Sequence, residues 1–286
     1  MKLHVTHLSR YEYERTVTFS PHQLYLRPRE TPLLRVNTFG FNISPDAKLV
    51  WTRDFHDVLL ATAYFWDGAR ALSIRTDFEV ETRDSNPFDF ILKPHATAFP
   101  FTYTPLERLG LAPCLVPPSA ETQRLLHAWL HEHGFQPSGE TVEFITRLNR
   151  LVYSTMDYVR REDLGTQDAR TTLSRGGGAC RDYAVLLAEL CRALGLAARF
   201  VSGYVYSESK DDHRSLGAMH AWTEVYLPGA GWKGLDPTHG VFCDDSFIPV
   251  AHAPSAESVN PIQGSVYSQS RVQSSLLTDV RVEKRA

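Results

Sequence analysis

Long apolar runs, an excess of basic charge and paired cysteines are all missing from this sequence. No stretch approaches the ~20 consecutive apolar residues of a membrane-spanning helix. The longest apolar region, 183–201, is broken by Glu189, Arg192 and Arg199, so no membrane partner is expected. Net charge is −3 over 286 residues, which excludes a broad cationic field for nucleic acid. The four cysteines, Cys114, Cys180, Cys191 and Cys243, show no Cys-x-x-Cys spacing, which argues against a disulfide framework or a zinc knuckle. The opening stretch MKLHVTHLSRYEYERTV lacks the apolar segment of a secretory signal, so a cytoplasmic location is expected. What remains is an ordinary globular composition, 43% hydrophobic and 22% charged, long enough for one large domain or two smaller ones.

Along the chain the first hundred residues read as strands. Val5, Tyr11, Tyr13, Val17 and Phe19 fall on a rough period of two, and LLRVNTFGFNI alternates again. Asp67-Gly68 sits between two β-rich runs and predicts a hairpin. Short strands separated by turn signals suggest a sandwich-like module over 1–100. Residues 85–118 contain seven prolines and no period, as in an extended connector. Helical patterning follows: Ser119 as N-cap, Leu125, Leu126, Trp129 and Leu130 on one face, and Gly134 as a stop. A second helix is expected at about 141–154, with Phe144, Ile145, Leu148, Leu151 and Val152 inward, and a third starting near Cys180. Strand patterns return after 198, which makes 101–286 an α+β module ending in a strand.

The third helix opens on SRGGGACRDYA, residues 174–184. A thiol reacts as its thiolate, and the N–H groups at a helix start favour that anion. Glycines 176–178 would let a substrate approach the backbone, and the Cys180 N–H could serve an oxyanion. The same residues also describe a glycine-rich loop before a core helix, and no phosphate-loop pattern follows them. Asp182, near the helix start, would oppose a thiolate and is expected to face away with Glu189 and Arg192.

A cysteine nucleophile needs a base, and the base an orienting partner. Of twelve histidines, His220 stands out, because residues 220–227 alternate and a Pro-Gly turn follows at Pro228-Gly229. Pro228 lies eight residues from both His220 and Asp236. A hairpin folded about it places imidazole and carboxylate on facing positions, provided that the loop length is odd. Trp222 and Trp232 are expected to wall such a site from water.

With GGGACRDYAVLLAELCRALGLAARFVSGY, HAWTEVY and GWKGLDPT, the sequence resembles the bacterial transglutaminase-like superfamily, a group often described as cysteine proteases. The segment 4–30 resembles the β-rich region that precedes this core in one bacterial subgroup. The resemblance implies a papain-like core in which a helix carrying cysteine packs on an antiparallel sheet. It also implies Cys180 as nucleophile, His220 as general base and acid, and Asp236 as the orienting residue. An aromatic side chain upstream of the cysteine often completes the oxyanion site in such enzymes, and Tyr158 or Tyr153 could do so here. Where the subgroup has an Asp-x-x-Gly-Asn turn this chain reads RDFHDV, and VAHAPSAESVNP lacks its Gly-Arg-Asp.

The expected activity is acyl transfer on a peptide or protein amide through a thioester, by hydrolysis. Transamidation and a non-catalytic binding module are the alternatives. Gly178, Trp222 and Tyr158 are expected to line the substrate, with no metal or organic cofactor. Cys191, eleven residues into an apolar helix, reads as a core thiol, and Cys243 as a loop residue.

Overall fold

The structure is a computed structural model describing residues 1–83, 86–161, 163–209 and 217–285. Six strands come first: β1 (Lys2–Phe19), β2 (His22–Leu24), β3 (Leu34–Ser44), β4 (Ala47–Arg53), β5 (Leu59–Phe65) and β6 (Ala69–Thr82). Next are β7 (Ala98–Phe99), α1 (Pro105–Leu111), α2 (Ala120–Glu132), β8 (Gly139–Glu140) and α3 (Thr141–Thr155). They are followed by β9 (Asp157–Tyr158), α4 (Ala169–Arg175), β10 (Gly177–Gly178) and α5 (Cys180–Ala193). The chain closes with β11 (Ala198–Val205), β12 (His220–Leu227), β13 (Gly231–Asp236), β14 (Val241–Phe242) and β15 (Phe247–Ala253), then β16 (Ile262–Gln263), β17 (Val266–Tyr267) and β18 (Ser274–Arg285). Among the described residues no helix is long and apolar enough to cross a membrane.

The N-terminal strands form two sheets, β3-β6-β1 and β4-β5-β2-β16, with β17 and β18 added along the free edge of β1. Val17, Phe19, Leu24, Leu26, Ala63 and Ile74 fill the space between them, as the period-two pattern of β1 requires. At about 60 Å, β1 is longer than this sandwich. Its first residues, with Leu3 and Val5, pack together with Phe78 and Val80 of β6 against Phe200 and Tyr204 of β11 and Ile248 of β15. The same sheet thus closes one core at one end and a second core at the other.

Two expectations change here. Asp67-Gly68 joins strands that do not pair with each other: β5 lies between β2 and β4, whereas β6 lies between β1 and β3. The dipeptide is a crossover between sheets, and Gly68 does not adopt positive φ. It is glycine because a Cβ would lie 2.8 Å from the Val17 carbonyl oxygen. The closing strand, grouped above with the second half of the chain, pairs with β1 from Lys2↔Arg285 to Tyr13↔Ser274.

In the second half, five antiparallel strands run in the order β14-β13-β12-β11-β15. α5 packs on them through Tyr183, Leu186, Leu187 and Leu190, and α2 and α3 close its outer side with Leu126, Phe144, Leu148 and Val152. Ser119 caps α2 by accepting the Thr122 N–H, as its sequence suggests. The connector is not wholly extended, since it contains α1. Thr104 and Glu107 cap that helix reciprocally with Pro105 in its first turn, a signal legible as TPLE.

A buried ion cluster ties the two halves together. Glu224 of β12 accepts from Arg29 Nη2 at 2.6 Å and from Arg199 Nε of β11 at 2.6 Å. Arg29, in the segment after β2, also donates to His252 Nδ1 at 2.8 Å. Burial would raise the Glu224 carboxyl, but the two guanidiniums overcome it and hold it at about 2. A carboxyl depressed in the folded state contributes stability above about pH 4.5 that is lost as pH falls toward about 2. Glu224→Gln is expected to remove that part of the acid dependence. It should also cost about 3–5 kcal/mol at pH 7, because two guanidiniums lose their carboxylate. Urea unfolding at pH 3 and pH 7 checks this, and an unchanged pH dependence contradicts it.

Candidate active site

Cys180 is the first residue of α5 and is 9% exposed. The loop before it is a packed structure. Gly176 ends α4 in the left-handed region at φ 66°, and Gly177 and Gly178 form β10, paired in parallel with β9. A Cβ on Gly177 would lie 2.1 Å from the Asp157 carbonyl oxygen. One on Gly178 would lie 2.6 Å from Gln167 Nε2 and 2.7 Å from Asp182 Oδ2. The room left by these two glycines is therefore filled by the protein. That corrects the expectation that Gly178 makes space for a substrate.

Asp182 likewise does not face away with Glu189 and Arg192. It is fully buried and accepts from Ala179 N at 2.8 Å, Gln167 N at 2.7 Å and Arg161 Nε at 2.7 Å. Burial opposes its charge, but the guanidinium and these N–H groups hold the carboxyl below its usual range. Its negative charge is thereby spent on Arg161 and the helix start rather than on the thiol two residues earlier.

β12 and β13 form the predicted hairpin, and the three-residue loop 228–230 is odd, so His220 and Asp236 share a face. The register differs from the symmetric reading. Leu227 pairs with Gly231 and Thr223 with Leu235, which centres the turn on Gly229 (φ 96°) rather than Pro228. Asp236 is consequently a diagonal neighbour of His220, and the two still meet: His220 Nε2 donates to Asp236 Oδ2 at 2.9 Å. Both side chains are buried.

Asp236 is held on several sides. Its Oδ1 accepts the Thr238 N–H at 2.8 Å, and its Oδ2 also accepts from His239 Nδ1 at 2.6 Å. Asn149 of α3 donates to its backbone carbonyl at 3.3 Å. Burial would raise this carboxyl, yet His220 and His239 hold it well below the carboxylate range. Burial would likewise lower the His220 imidazole, but the Asp236 charge and hydrogen bond keep it above its ordinary value, with the Cys180 thiol adding to the effect. His220 Nδ1 is buried with no formed hydrogen bond. The Cys180 thiol nevertheless lies close enough to raise the imidazole both as a hydrogen-bond partner and through its charge. Neither His239 nor Asn149 was singled out from sequence; His239 had only its place three residues after Asp236 as a signal.

The remaining predicted residues fall at different distances from this centre. Trp222 is buried, with its ring 6.3 Å from that of His220. Trp232 is not beside His220; its ring lies under the Arg199 guanidinium at 4.0 Å. Tyr158 pairs with Gly178 and packs against the cluster that contains Cys180. Tyr153 instead covers Gly240, where a Cβ would lie 3.0 Å from its ring. Cys191 is fully buried, and burial pushes its thiol up to about 12. His220, Asp236 and His239 offer ligand atoms within 4.8 Å of one another, but the two imidazole–carboxylate hydrogen bonds already use them.

Residues 132–237 match the model of the Transglutaminase-like superfamily, and residues 3–81 match that of the Bacterial transglutaminase-like N-terminal region. An uncharacterized protein of Mycobacterium tuberculosis is 27% identical over 278 residues, covering 93% of this chain and 88% of that one. A protein-glutamine gamma-glutamyltransferase of Pseudomonas aeruginosa is 38% identical over 68 residues, 22% of this chain and 10% of that one. The crystal structure of a "Putative Cysteine Protease" from Cytophaga hutchinsonii shares the fold, with a TM-score of 0.73 at 17% identity, covering 100% of this chain and 92% of that one.

Asp182→Ala is expected to lower stability by about 3–5 kcal/mol, because Arg161 and two backbone N–H groups lose a buried acceptor. Denaturant unfolding measures this. A loss below about 1 kcal/mol contradicts the anchoring role.

Proposed function

The chain belongs to the transglutaminase-like superfamily, its core preceded by a bacterial transglutaminase-like N-terminal region, and we propose that it is a cysteine-dependent enzyme hydrolysing amide or peptide bonds. The observation that carries this reading is the buried 2.9 Å His220–Asp236 bond, with the thiol at the head of α5 acting on the same imidazole.

In this reading Asp236 fixes the imidazole with Nε2–H toward itself and leaves Nδ1 for the Cys180 proton. The thiolate attacks the carbonyl carbon, and the oxyanion that forms accepts from the Cys180 N–H. Tyr158, beside Gly178, supplies a second polar contact. As the tetrahedral intermediate collapses, His220 protonates the departing amine, leaving an acyl thioester on Cys180. His220 then takes a proton from water, whose oxygen attacks the thioester carbonyl and frees the thiolate. Trp222 keeps bulk water off the imidazole. The catalytic half is taken as 101–286 behind a β module of 1–100, except that the last strands, β16 to β18, complete the sheets of that β module. Four free cysteines fit a reducing compartment, and the cytoplasm is the proposed location.

A second reading is transamidation, in which an amine rather than water resolves the thioester. It is favoured by the short match to the Pseudomonas glutamyltransferase.

Iodoacetamide labelling tests the shared part of both readings. At pH 6 Cys180 should be alkylated while Cys114 and Cys191, whose thiols burial pushes up, stay unmodified. Cys180→Ser should abolish the label, and His220→Ala should slow it at least about tenfold. Even labelling of all four cysteines counts against a special thiol. Peptide and amine libraries then separate the readings: release of free acid supports hydrolysis, and amine incorporation supports transamidation.

A further inference from the structure

The turn that follows Asp236 opens on a surface groove of about 470 Å³. One wall is the loop 239–241, and the other is a face of α3 that contributes Arg147, Arg150 and Tyr153 at intervals of three. Apolar surface is left open there, with Tyr153 41% exposed and Val241 43% exposed. The two guanidiniums differ. Arg147 Nη2 donates to the Ser138 carbonyl at 2.9 Å, its guanidinium lies over the Phe135 ring at 5.3 Å, and its Nε is 3.8 Å from the Glu143 carboxylate. Arg150 is exposed and makes no hydrogen bond or ion pair with any described residue. The helix thus commits one cation to its own surroundings and leaves the second uncompensated. His239 lines the same groove and donates to the Asp236 oxygen that holds His220, and the two imidazole rings are 5.5 Å apart. The groove therefore begins one side chain beyond the imidazole that acts on Cys180.

We infer that this groove is a substrate subsite, and that it selects peptides carrying an acidic side chain a short distance from the bond that reacts. The inference rests on the function proposed above, because it names the kind of peptide that the Cys180 site takes. Arg150 supplies the charge that a carboxylate lacks a partner for in an extended peptide. Tyr153 and Val241 cover the methylenes and the neighbouring backbone. An extended chain advances about 3.3–3.6 Å per residue, which puts the acidic side chain roughly three to five residues from the reacting carbonyl. A free anion would meet one exposed guanidinium, an interaction worth little in water. A peptide adds the apolar contacts and is tethered at the thiol, so a peptide is the occupant that this combination fits. The attraction comes from Arg150 and holds whichever charge His239 carries.

Binding is measured on Cys180→Ala, which holds a peptide without taking its acyl group. The probes are dansyl-labelled peptide-amide pools that differ at one scanned position, which is Glu, Gln or Lys, and the readout is fluorescence anisotropy. At one position the Glu pool should bind about three- to fivefold tighter than the Gln pool, with the Lys pool weakest. In the same background Arg150→Gln should bring the Glu and Gln pools together, and Arg150→Glu should drop the Glu pool below the Gln pool. Arg124→Glu, a charge reversal on the exposed side of α2, should keep the original order. Equal binding of the Glu and Gln pools at every position, or no binding of any pool, overturns the inference. So does the original order persisting in Arg150→Glu, or glutarate binding as tightly as the Glu pool, which would make the groove a free-anion site. The measurement does not depend on turnover. A Glu preference with no reaction of those peptides in the protein that keeps Cys180 would sink the proposed function and leave a peptide-binding groove, whereas reaction without a preference would sink the subsite alone.

Discussion

A buried carboxylate that must stay charged organises this molecule around its candidate site. Asp236 is fully buried, and removing such a charge from water is costly unless donors surround it. Here every side of the group is answered: Thr238 from its own turn, His220 from β12, and His239 from the following loop. Its backbone carbonyl receives Asn149 from α3. Those donors belong to different elements, so the requirement to satisfy one carboxylate fixes the hairpin register, the turn after β13 and the seat of α3 at once. The imidazole that results is held in one orientation and one tautomer, which is what a base beside a thiol requires.

The same solution appears twice more, with different consequences. Asp182 holds the start of α5 by taking Arg161 and the N–H groups of Ala179 and Gln167, and so neutralises a charge that would otherwise oppose a thiolate two residues away. Glu224 takes Arg29 from the N-terminal half and Arg199 from β11, and so locks the two halves across the face of the second sheet. Buried ion pairs of this kind are weak sources of net stability, but breaking one is costly. Their value lies in geometry: Asp236 and Asp182 hold the starts of β12 and α5, where His220 and Cys180 stand, and Glu224 holds the middle of β12 to β11 and to the N-terminal half.

Much of the site could be read from the sequence because it depends on local arithmetic. Cys180 follows a glycine run at a helix start, and an odd hairpin loop puts His220 and Asp236 on one face whatever its exact centre. The centre itself was not legible, since Pro-Gly does not reveal that Gly229 rather than Pro228 takes the middle of the turn. The direction of Asp182 was missed because its partners, Arg161 and Gln167, lie on a segment without periodicity. Asp67-Gly68 misled for a related reason: a turn signal says that the chain bends, not which sheet receives the next strand. The pairing of β18 with β1 joins opposite ends of the chain and has no local signature. His239 has a donor role that depends on the conformation of the turn after Asp236, which no spacing rule supplies.

The proposed reaction passes an acyl group through Cys180 under the control of His220 and Asp236. An activated ester, p-nitrophenyl acetate, bypasses the need for the natural substrate, and intact-mass and peptide-map spectrometry shows where the acyl group lands. The predicted result is a burst of about one equivalent of nitrophenol, acetyl on Cys180 alone, and a rate reduced by about 10²–10⁴ in Asp236→Asn. Acetyl spread over several residues, or an Asp236→Asn rate equal to wild type, would contradict it.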